Sequence, residues 1–157
     1  MRRVVITGMG LVTPLGIGIE ENWNRLLDGR SGIRTIDQFD VSDLPAKIAG
    51  TVPEGPAADG LFTADEWVQP KEQRKIDRFI MLGMAAAAQA VADSGWVAET
   101  DEEKNRTGVM IGSGIGGLQQ IYDHSVKLHE SGPRRISPFF IPAALINLIS
   151  GQVSIKF

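Results

Sequence analysis

The sequence predicts a mixed α/β fold, and two kinds of local pattern carry that prediction. Two short apolar runs, Val4–Thr7 and Gly108–Ile111, each lead into a glycine-containing stretch, which is typical of a buried strand that ends in a turn. Between and after these runs, apolar residues recur at helical spacing in several segments. With 43% hydrophobic and 22% charged residues in 157, the composition is that of a globular domain.

After the first run, the chain is predicted to form one helix and then a long irregular segment. Apolar residues at helical spacing predict the helix over Ile19–Leu27, with Gly29 at its C-terminal cap. From 31 to 70 the periodicity fades, and one short strand is predicted over 47–52. Four prolines punctuate this excursion: Pro45, Pro53, Pro56 and Pro70.

The longest helix is predicted over Lys71–Ala92, where apolar and small residues lie near one face and Ser94–Gly95 ends the pattern. Four consecutive alanines, Ala85–Ala88, follow Gly83 and Met84, so small side chains lie on every side of this part of the helix. We therefore expect it to pack closely against other elements on more than one side.

The last part of the chain is predicted to contain two further helices. A charged connection over 99–106 precedes the second apolar run, and a helix is predicted over Leu118–Leu128. Residues 131–138 form a loop by composition, and Pro142 suits the first turn of a helix that continues to the end. The apolar pattern is still present at Phe157, so we expect these residues to be the first part of a longer protein.

Charge and composition disfavour several classes of protein. The net charge of −3 is unlike the strongly basic balance of a nucleic-acid-binding domain. No apolar run approaches the ~20 residues that cross a bilayer, and the N-terminus does not resemble a signal peptide. The absence of cysteine excludes disulfides, thiolate metal sites and a cysteine nucleophile within the 157 residues. We expect a cytoplasmic protein that binds neither nucleic acid nor membranes.

The stretch TGVMIGSGIGG contains a G-x-G-x-x-G pattern formed by Gly112, Gly114 and Gly117. A dinucleotide site needs this pattern in a βαβ unit, with an acidic residue at the end of the next strand. Here a helix, a loop and a further helix follow, so the context does not match. We favour the interpretation that these glycines permit a tight turn or a close backbone approach. The competing hypothesis, a nucleotide-binding domain, predicts saturable binding of NAD or ATP.

The titratable residues of the chain do not suggest a metal site or an acid–base pair. His124 and His129 are five residues apart, whereas helical metal ligands are three or four apart, so both are predicted to be surface residues. The acidic run from Asp101 to Glu103 is interpreted as a solvated turn.

Four basic residues could share one face of the longest predicted helix, since their spacing is i, i+3, i+4, i+7. They are Lys71, Arg74, Lys75 and Arg78. One interpretation is a solvated face with Glu72 and Asp77 nearby. The other is a docking patch for an acidic partner. The pattern itself does not decide between them.

The segment SPFFIP, residues 137–142, holds two aromatic residues and an isoleucine between two prolines. Because proline restricts the backbone, these side chains are presented in a fixed way. The segment is interpreted either as a buried core loop or as the apolar wall of a ligand channel or subunit interface.

Taken together, four segments resemble the β-ketoacyl-acyl carrier protein synthases, and most closely the elongating type II isozyme of bacterial fatty acid synthesis. The segments are VVITGMGLVTPLG, PKEQRKIDRF, IGSGIGGL and GPRRISPFFIP. They occur in the family's order, and the likeness covers the whole of 1–157. The resemblance implies a thiolase-like fold with α-β-α-β-α layers, assembled as a homodimer. The chain would be most of the first half of that fold, with 31–70 as part of its cap insertions.

The resemblance also implies a reaction, a decarboxylative Claisen condensation of an acyl thioester with malonyl-acyl carrier protein. The family uses a cysteine nucleophile and two histidines, which we expect beyond Phe157, and His124 and His129 do not match them. The 157 residues alone are therefore expected to be inactive. No redox cofactor or nucleotide is implied, since the substrate is carried on the phosphopantetheine arm of acyl carrier protein. A non-catalytic, chain-length-determining partner subunit of a polyketide system is the alternative.

Three sets of residues match family positions of known role. Lys71, Arg74 and Lys75 match the basic helix face that docks acyl carrier protein, which favours the docking interpretation. Ile115 matches a residue that borders the acyl pocket. Phe140 and Ile141 match residues that reach across the dimer interface to line the partner's acyl pocket.

Overall fold

The structure, a computed structural model, describes residues 2–157. Its elements are four short strands and seven helices in that range. In chain order they are β1 (Val12–Thr13), β2 (Gly16–Ile17), α1 (Ile19–Leu27), β3 (Ile33–Thr35), β4 (Ile48–Gly50), α2 (Pro70–Gln73), α3 (Arg78–Ser94), α4 (Asp101–Arg106), α5 (Leu118–Ser131), α6 (Phe140–Ala144) and α7 (Leu148–Lys156). Short 3₁₀ turns lie at Ala57–Asp59, Ala64–Glu66 and Pro133–Arg135.

The strands form two separate antiparallel hairpins. In the first, β1 pairs with β2, and Val12 lies opposite Ile17. In the second, β3 pairs with β4, and Ile33 lies opposite Gly50. The strand predicted over 47–52 is therefore confirmed as β4, whereas its partner β3 was not predicted.

The prediction of two buried strands from apolar runs is wrong. Neither Val4–Thr7 nor Gly108–Ile111 is a strand, and Val4 and Met110 are 95% and 99% exposed. A strand exists only where a neighbouring chain segment completes its hydrogen-bond ladder. Within residues 2–157 neither run has such a neighbour, so β propensity is present without a sheet.

The hydrophobic core lies between α3 and α7. Ile80 is fully buried and belongs to one cluster with Met84, Ile149 and Val153. At Gly83 the Ile149 side chain approaches so closely that no Cβ would fit.

The small residues of α3 also admit the N-terminal segment. Gly8 and Gly10 lie directly against the α3 backbone, where any Cβ would clash. Between these two glycines, the Met9 amide donates to Asp93 Oδ2 at 2.9 Å. The predicted close packing of this helix on more than one side is confirmed.

Two predicted helices are each divided in the structure. The helix predicted over Lys71–Ala92 is wrong in its first turns, because α2 ends at Gln73 and α3 begins at Arg78. Asp77 caps α3 by accepting a hydrogen bond from the Phe79 amide at 3.2 Å, which ends the continuity. The helix predicted from Pro142 is divided into α6 and α7, with Pro142 in the first turn of α6 as expected.

The remaining helical predictions agree with the structure, with one omission. Helix α1 has the predicted bounds, with Gly29 at φ +67° after its last turn, and α5 extends the prediction by three residues. The charged connection over 99–106 in fact contains α4, which begins with a capping box between Thr100 and Glu103. No helix in the described part of the chain is long and apolar enough to cross a membrane.

Candidate functional site

The four basic residues of 71–78 do not share one helical face, which corrects the prediction. Lys71 lies in α2, Arg74 and Lys75 lie between the helices, and Arg78 begins α3. The i, i+3, i+4, i+7 spacing holds only along a continuous helix, and the Asp77 cap interrupts it. We call this stretch, 71–78, the basic segment.

Two of the four cations are already engaged. Arg78 Nη2 lies 3.1 Å from Glu54 Oε1 and also donates to the Val52 carbonyl at 3.1 Å. Lys75 Nζ lies 2.9 Å from Glu72 Oε1 and 5.5 Å from the centre of the Phe139 ring.

The other two cations of the basic segment face solvent. Lys71 and Arg74 are exposed and make no ion pair with any other residue of 2–157. The charge available to an incoming partner is therefore concentrated on these two side chains.

Asp77 fastens the basic segment to the start of α5, a contact that the sequence analysis did not identify. The side chain is buried, its Oδ1 caps α3, and its Oδ2 accepts a hydrogen bond from the Gln120 amide at 3.2 Å. One carboxylate thus accepts hydrogen bonds from amides at the N-terminal ends of two helices.

The glycine pattern makes a close approach to α6, but only at its end. Gly116 has φ +75°, and a Cβ there would lie 2.9 Å from the Ala144 carbonyl oxygen. Gly117 donates its amide to the same oxygen at 3.0 Å. Nothing lies within contact distance of a Cβ at Gly112 or Gly114. The favoured interpretation of a turn with close backbone contact therefore fits Gly117 and its neighbour Gly116, and it does not fit Gly112 or Gly114.

The N-terminus of α5 does not offer a phosphate cradle. Three of the amides that would face an anion there are already bonded, Gly117 to Ala144, Leu118 to the Gly116 carbonyl, and Gln120 to Asp77. A phosphate would have to displace these bonds and meet the Asp77 carboxylate. This geometry disfavours the nucleotide-binding hypothesis.

His124 is buried, which corrects its prediction as a surface residue. It is 8% exposed, and its ring stacks on Phe140 with centroids 4.7 Å apart and planes inclined by 27°. Its position follows from α5 geometry, since 117, 120 and 124 share the face that meets Asp77 and α6. His129 is exposed, as predicted.

The apolar pattern of α5 faces outwards instead of into the core. Its large apolar side chains are exposed, and they are Leu118, Ile121, Tyr122, Val126 and Leu128. The sequence analysis used part of this pattern to predict the helix, and the pattern gave no indication that the polar face is the buried one.

The three residues assigned to an acyl pocket lie around the contact between α5 and α6. Ile115 is 68% exposed beside Gly116 and Gly117, which we call the glycine turn. Ile141 is exposed on α6, and Phe140 is half-buried beneath His124. Ile115 is linked to α6 through the neighbouring Gly116 and Gly117 contacts with Ala144. The basic segment, α5, α6 and the glycine turn therefore form one connected surface.

The acidic residues of α4 are separate from this surface. Hydrogen bonds from the Thr100 amide and hydroxyl, and from the Glu99 amide, lower the pKa of Glu103 below its ordinary value of 4.5. In the range 2–157 no three His, Cys, Asp or Glu side chains are grouped so that they could hold a metal ion.

Comparisons with known proteins agree along the whole chain. The family described as "Beta-ketoacyl synthase, N-terminal domain" matches residues 1–157. The chain is 60% identical over 156 residues to "3-oxoacyl-[acyl-carrier-protein] synthase 2" of Rhizobium meliloti (strain 1021), covering 99% of this chain and 37% of that relative. It therefore spans about a third of the length of the curated relatives that it matches.

Solved structures show the same fold. "The ishigamide ketosynthase/chain length factor" superposes with a TM-score of 0.76 at 25% identity, covering 99% of this chain and 37% of the other. A type II PKS acyl-carrier protein in complex with its ketosynthase gives a TM-score of 0.70 at 24% identity, covering 97% and 38%. The chain belongs to the β-ketoacyl synthase family, corresponds to its N-terminal domain, and has the thiolase-like fold of that family.

Proposed function

We propose that the protein is an elongating condensing enzyme of fatty acid synthesis. The observation that carries the proposal is 60% identity, over nearly all of this chain, to a relative named 3-oxoacyl-[acyl-carrier-protein] synthase 2. In the proposed reaction a cysteine thiolate takes the acyl group from its carrier thioester. Malonyl-acyl carrier protein then loses CO₂, its carbanion attacks the acyl carbonyl, and the cysteine thiolate leaves.

The chemical groups for this reaction are expected outside the 157 residues. The sequence contains no cysteine, and neither of its histidines is suited to the reaction. His124 is buried against Phe140, and His129 lies at the exposed end of α5. We propose that the 157 residues contribute binding surface and are inactive alone.

The basic segment is proposed as a docking site for acyl carrier protein. Exposed Lys71 and Arg74 support this role because both are free to pair with acidic groups of a partner. Lys75, which is paired with Glu72 and lies over Phe139, would contribute less charge and more orientation. The substrate would arrive on the carrier's phosphopantetheine arm, with no redox cofactor or nucleotide involved.

The connected surface formed by the glycine turn, α5 and α6 is proposed to bind the acyl chain and a second copy of the protein. Ile115 and Ile141 are exposed, and Phe140 is half-buried beside them. An apolar surface of this kind is used for ligand or subunit contact. Ile115 would border the acyl pocket, while Phe140 and Ile141 would line that of the partner in a homodimer. We propose a cytoplasmic location for the dimer.

The proposed function is tested by incubating the full-length protein with acyl- and malonyl-acyl carrier protein and measuring 3-oxoacyl product. We expect product and CO₂ in equal amounts from the full-length protein, and none from residues 1–157 alone. A full-length protein that forms no 3-oxoacyl product would contradict the proposal.

The docking role is tested by Lys71→Glu combined with Arg74→Glu in the full-length protein. We expect the KM for carrier-bound substrate to rise by about tenfold or more, because two attractive charges become repulsive. A matched control is Lys104→Glu with Arg106→Glu, which makes the same change of charge on exposed α4. Equal effects of the two pairs would show a general charge effect and contradict a docking site at Lys71 and Arg74.

A second function is favoured by one comparison, the likeness to a ketosynthase/chain length factor. A chain-length-determining subunit keeps the fold without the cysteine nucleophile. Mass spectrometry after incubation with acyl-acyl carrier protein separates the two functions. A condensing enzyme gains one acyl group on a cysteine, whereas the non-catalytic subunit stays unmodified.

A further inference from the structure

The contact between His124 and Phe140 joins α5 to α6 at the proposed pocket through two stacked rings. The imidazole is buried, and it stacks on the Phe140 ring with centroids 4.7 Å apart. This geometry is within the range in which offset aromatic stacking stabilises a pair of rings. Phe140 is also the first residue of α6, where its amide is bonded to the Ser137 carbonyl at 3.0 Å.

The histidine ring is fixed by a hydrogen bond within its own helix. Nδ1 lies 2.9 Å from the Gln120 carbonyl oxygen, which can only accept, so Nδ1 carries the proton. This bond sets both the tautomer and the plane of the ring. The Gln120 amide is held in turn by Asp77, so the support extends to the start of α3.

The other ring nitrogen of His124, Nε2, does not hold the ring in place. Nε2 is buried and has no hydrogen-bond partner among residues 2–157. Burial of an unpartnered nitrogen is unfavourable, so its position cannot be explained by a second hydrogen bond within the described chain. The contact that remains for the ring is its stack on Phe140.

We propose that His124 is a positioning residue that fixes the orientation of the Phe140 ring, and through it the length of acyl chain that the protein accepts. The second half of this inference rests on the proposed function, in which Phe140 lines an acyl pocket. The Phe140 amide is held by the Ser137 carbonyl, and the far end of α6 by the Gly117–Ala144 bond, whereas His124 stacks on the face of the Phe140 ring. Without the imidazole, the Phe140 ring can turn, and the pocket wall is no longer fixed.

Two variants of the full-length protein separate the ring from its hydrogen bond. His124→Phe keeps a flat ring over Phe140 and loses the Nδ1 bond, whereas His124→Asn keeps a donor towards Gln120 and loses the ring. For each we would measure kcat/KM across a series of carrier-bound acyl chains. His124→Asn should change the ratio between the longest and shortest chains by about two- to tenfold, and His124→Phe should leave it near wild type.

A second measurement reports on the Phe140 ring without requiring activity. With 4-fluorophenylalanine incorporated at position 140, the fluorine NMR resonance should shift or sharpen in His124→Asn and stay near its wild-type position in His124→Phe. An unchanged ring signal in His124→Asn would overturn the inference, as would an unchanged chain-length ratio beside an active wild type. A wild type that forms no product contradicts the proposed function, while the fluorine signal still decides whether His124 positions the ring.

Discussion

Helices α3 and α7 bury their apolar side chains against each other, whereas α5 and α6 meet through a backbone bond and two stacked rings. In the first pair Ile80 and Ile149 are buried in one cluster. In the second pair the Gly117 amide and the His124 ring make the contacts, while the apolar side chains of α5 face outwards. Helix α5 is less apolar in sequence than α3 and α7, yet it still carries several large apolar side chains, and these are not the surface that it buries.

The difference teaches that apolar content alone does not decide which face of a helix is buried. The α3–α7 pair forms the centre of a core to which Val68 and Ile76 also belong, and a small residue of α3, Gly83, admits a large residue of α7, Ile149. The α5–α6 pair uses glycines and a histidine to come together, and its large apolar side chains remain available. Removal of side chains should therefore affect stability in the first pair and specificity in the second.

The largest effect is expected at Ile80, in the first turn of α3. Ile80→Ala in the full-length protein should lower the free energy of unfolding by about 2–5 kcal/mol, because it leaves a cavity in the most buried part of the core. Ile80→Val removes a single methylene and should cost about 0.5–1.5 kcal/mol. Urea unfolding measures both variants. Equal losses from the two would show that α3 and α7 do not form the tight core described above.

A smaller loss of stability is expected on substitution of Asp77, which joins the start of α3 to the start of α5. Asp77→Ala removes the acceptor for the Phe79 and Gln120 amides, and should cost about 1–3 kcal/mol. Asp77→Asn keeps one acceptor oxygen and should lose less. Hydrogen exchange at 118–122 would show whether the start of α5 loosens, and unchanged exchange in Asp77→Ala would contradict the link.

Local sequence signals predicted the elements that depend on a few neighbouring residues. Helix α1, the stop at Gly95 and strand β4 are examples, since caps, glycines and short-range periodicity are sufficient for them. Two further local signals were present but not used. Asp77 before an apolar stretch is a helix cap, and Thr100 with Glu103 is a capping box.

The rest depended on contacts that the sequence does not contain. An apolar run such as Val4–Thr7 becomes a strand only beside a partner strand, and the burial of His124 depends on where α6 lies. Ile115 was identified through resemblance to a family, whereas Lys71 was first identified by a helical spacing that the division of α2 from α3 makes invalid. The structure connects them into one surface, and their roles stay predictions.

In the region of α5 and α6, Ile115→Phe should change the preference for acyl-chain length while leaving the stability of the fold unaltered. Ile115 is largely exposed, so a larger side chain can extend into solvent, and the urea midpoint should stay near its wild-type value. In the proposed pocket the added volume should lower kcat/KM for the longest acyl chains by about tenfold more than for short ones. Ile115→Leu, which conserves volume, is the control. A uniform loss across chain lengths would contradict a pocket role.

The smallest effect is expected in α4, which is held mainly by its own caps. Thr100→Ala removes the hydroxyl that bonds Glu103, so the lowered pKa of Glu103 should move up towards 4.5, whereas Thr100→Ser should preserve it. Carboxyl carbon NMR measures this pKa. Because the folded-state pKa lies below the unfolded value, ionised Glu103 stabilises α4 above pH 4.5, and this contribution is lost as the pH falls through the folded-state pKa. Thr100→Ala should weaken that acid dependence only in part, because the backbone amide of residue 100, which lowers the pKa most, is still present. An unchanged Glu103 pKa in Thr100→Ala would mean that the backbone amides of Thr100 and Glu99 alone set the lowered pKa, and it would contradict a contribution from the Thr100 hydroxyl.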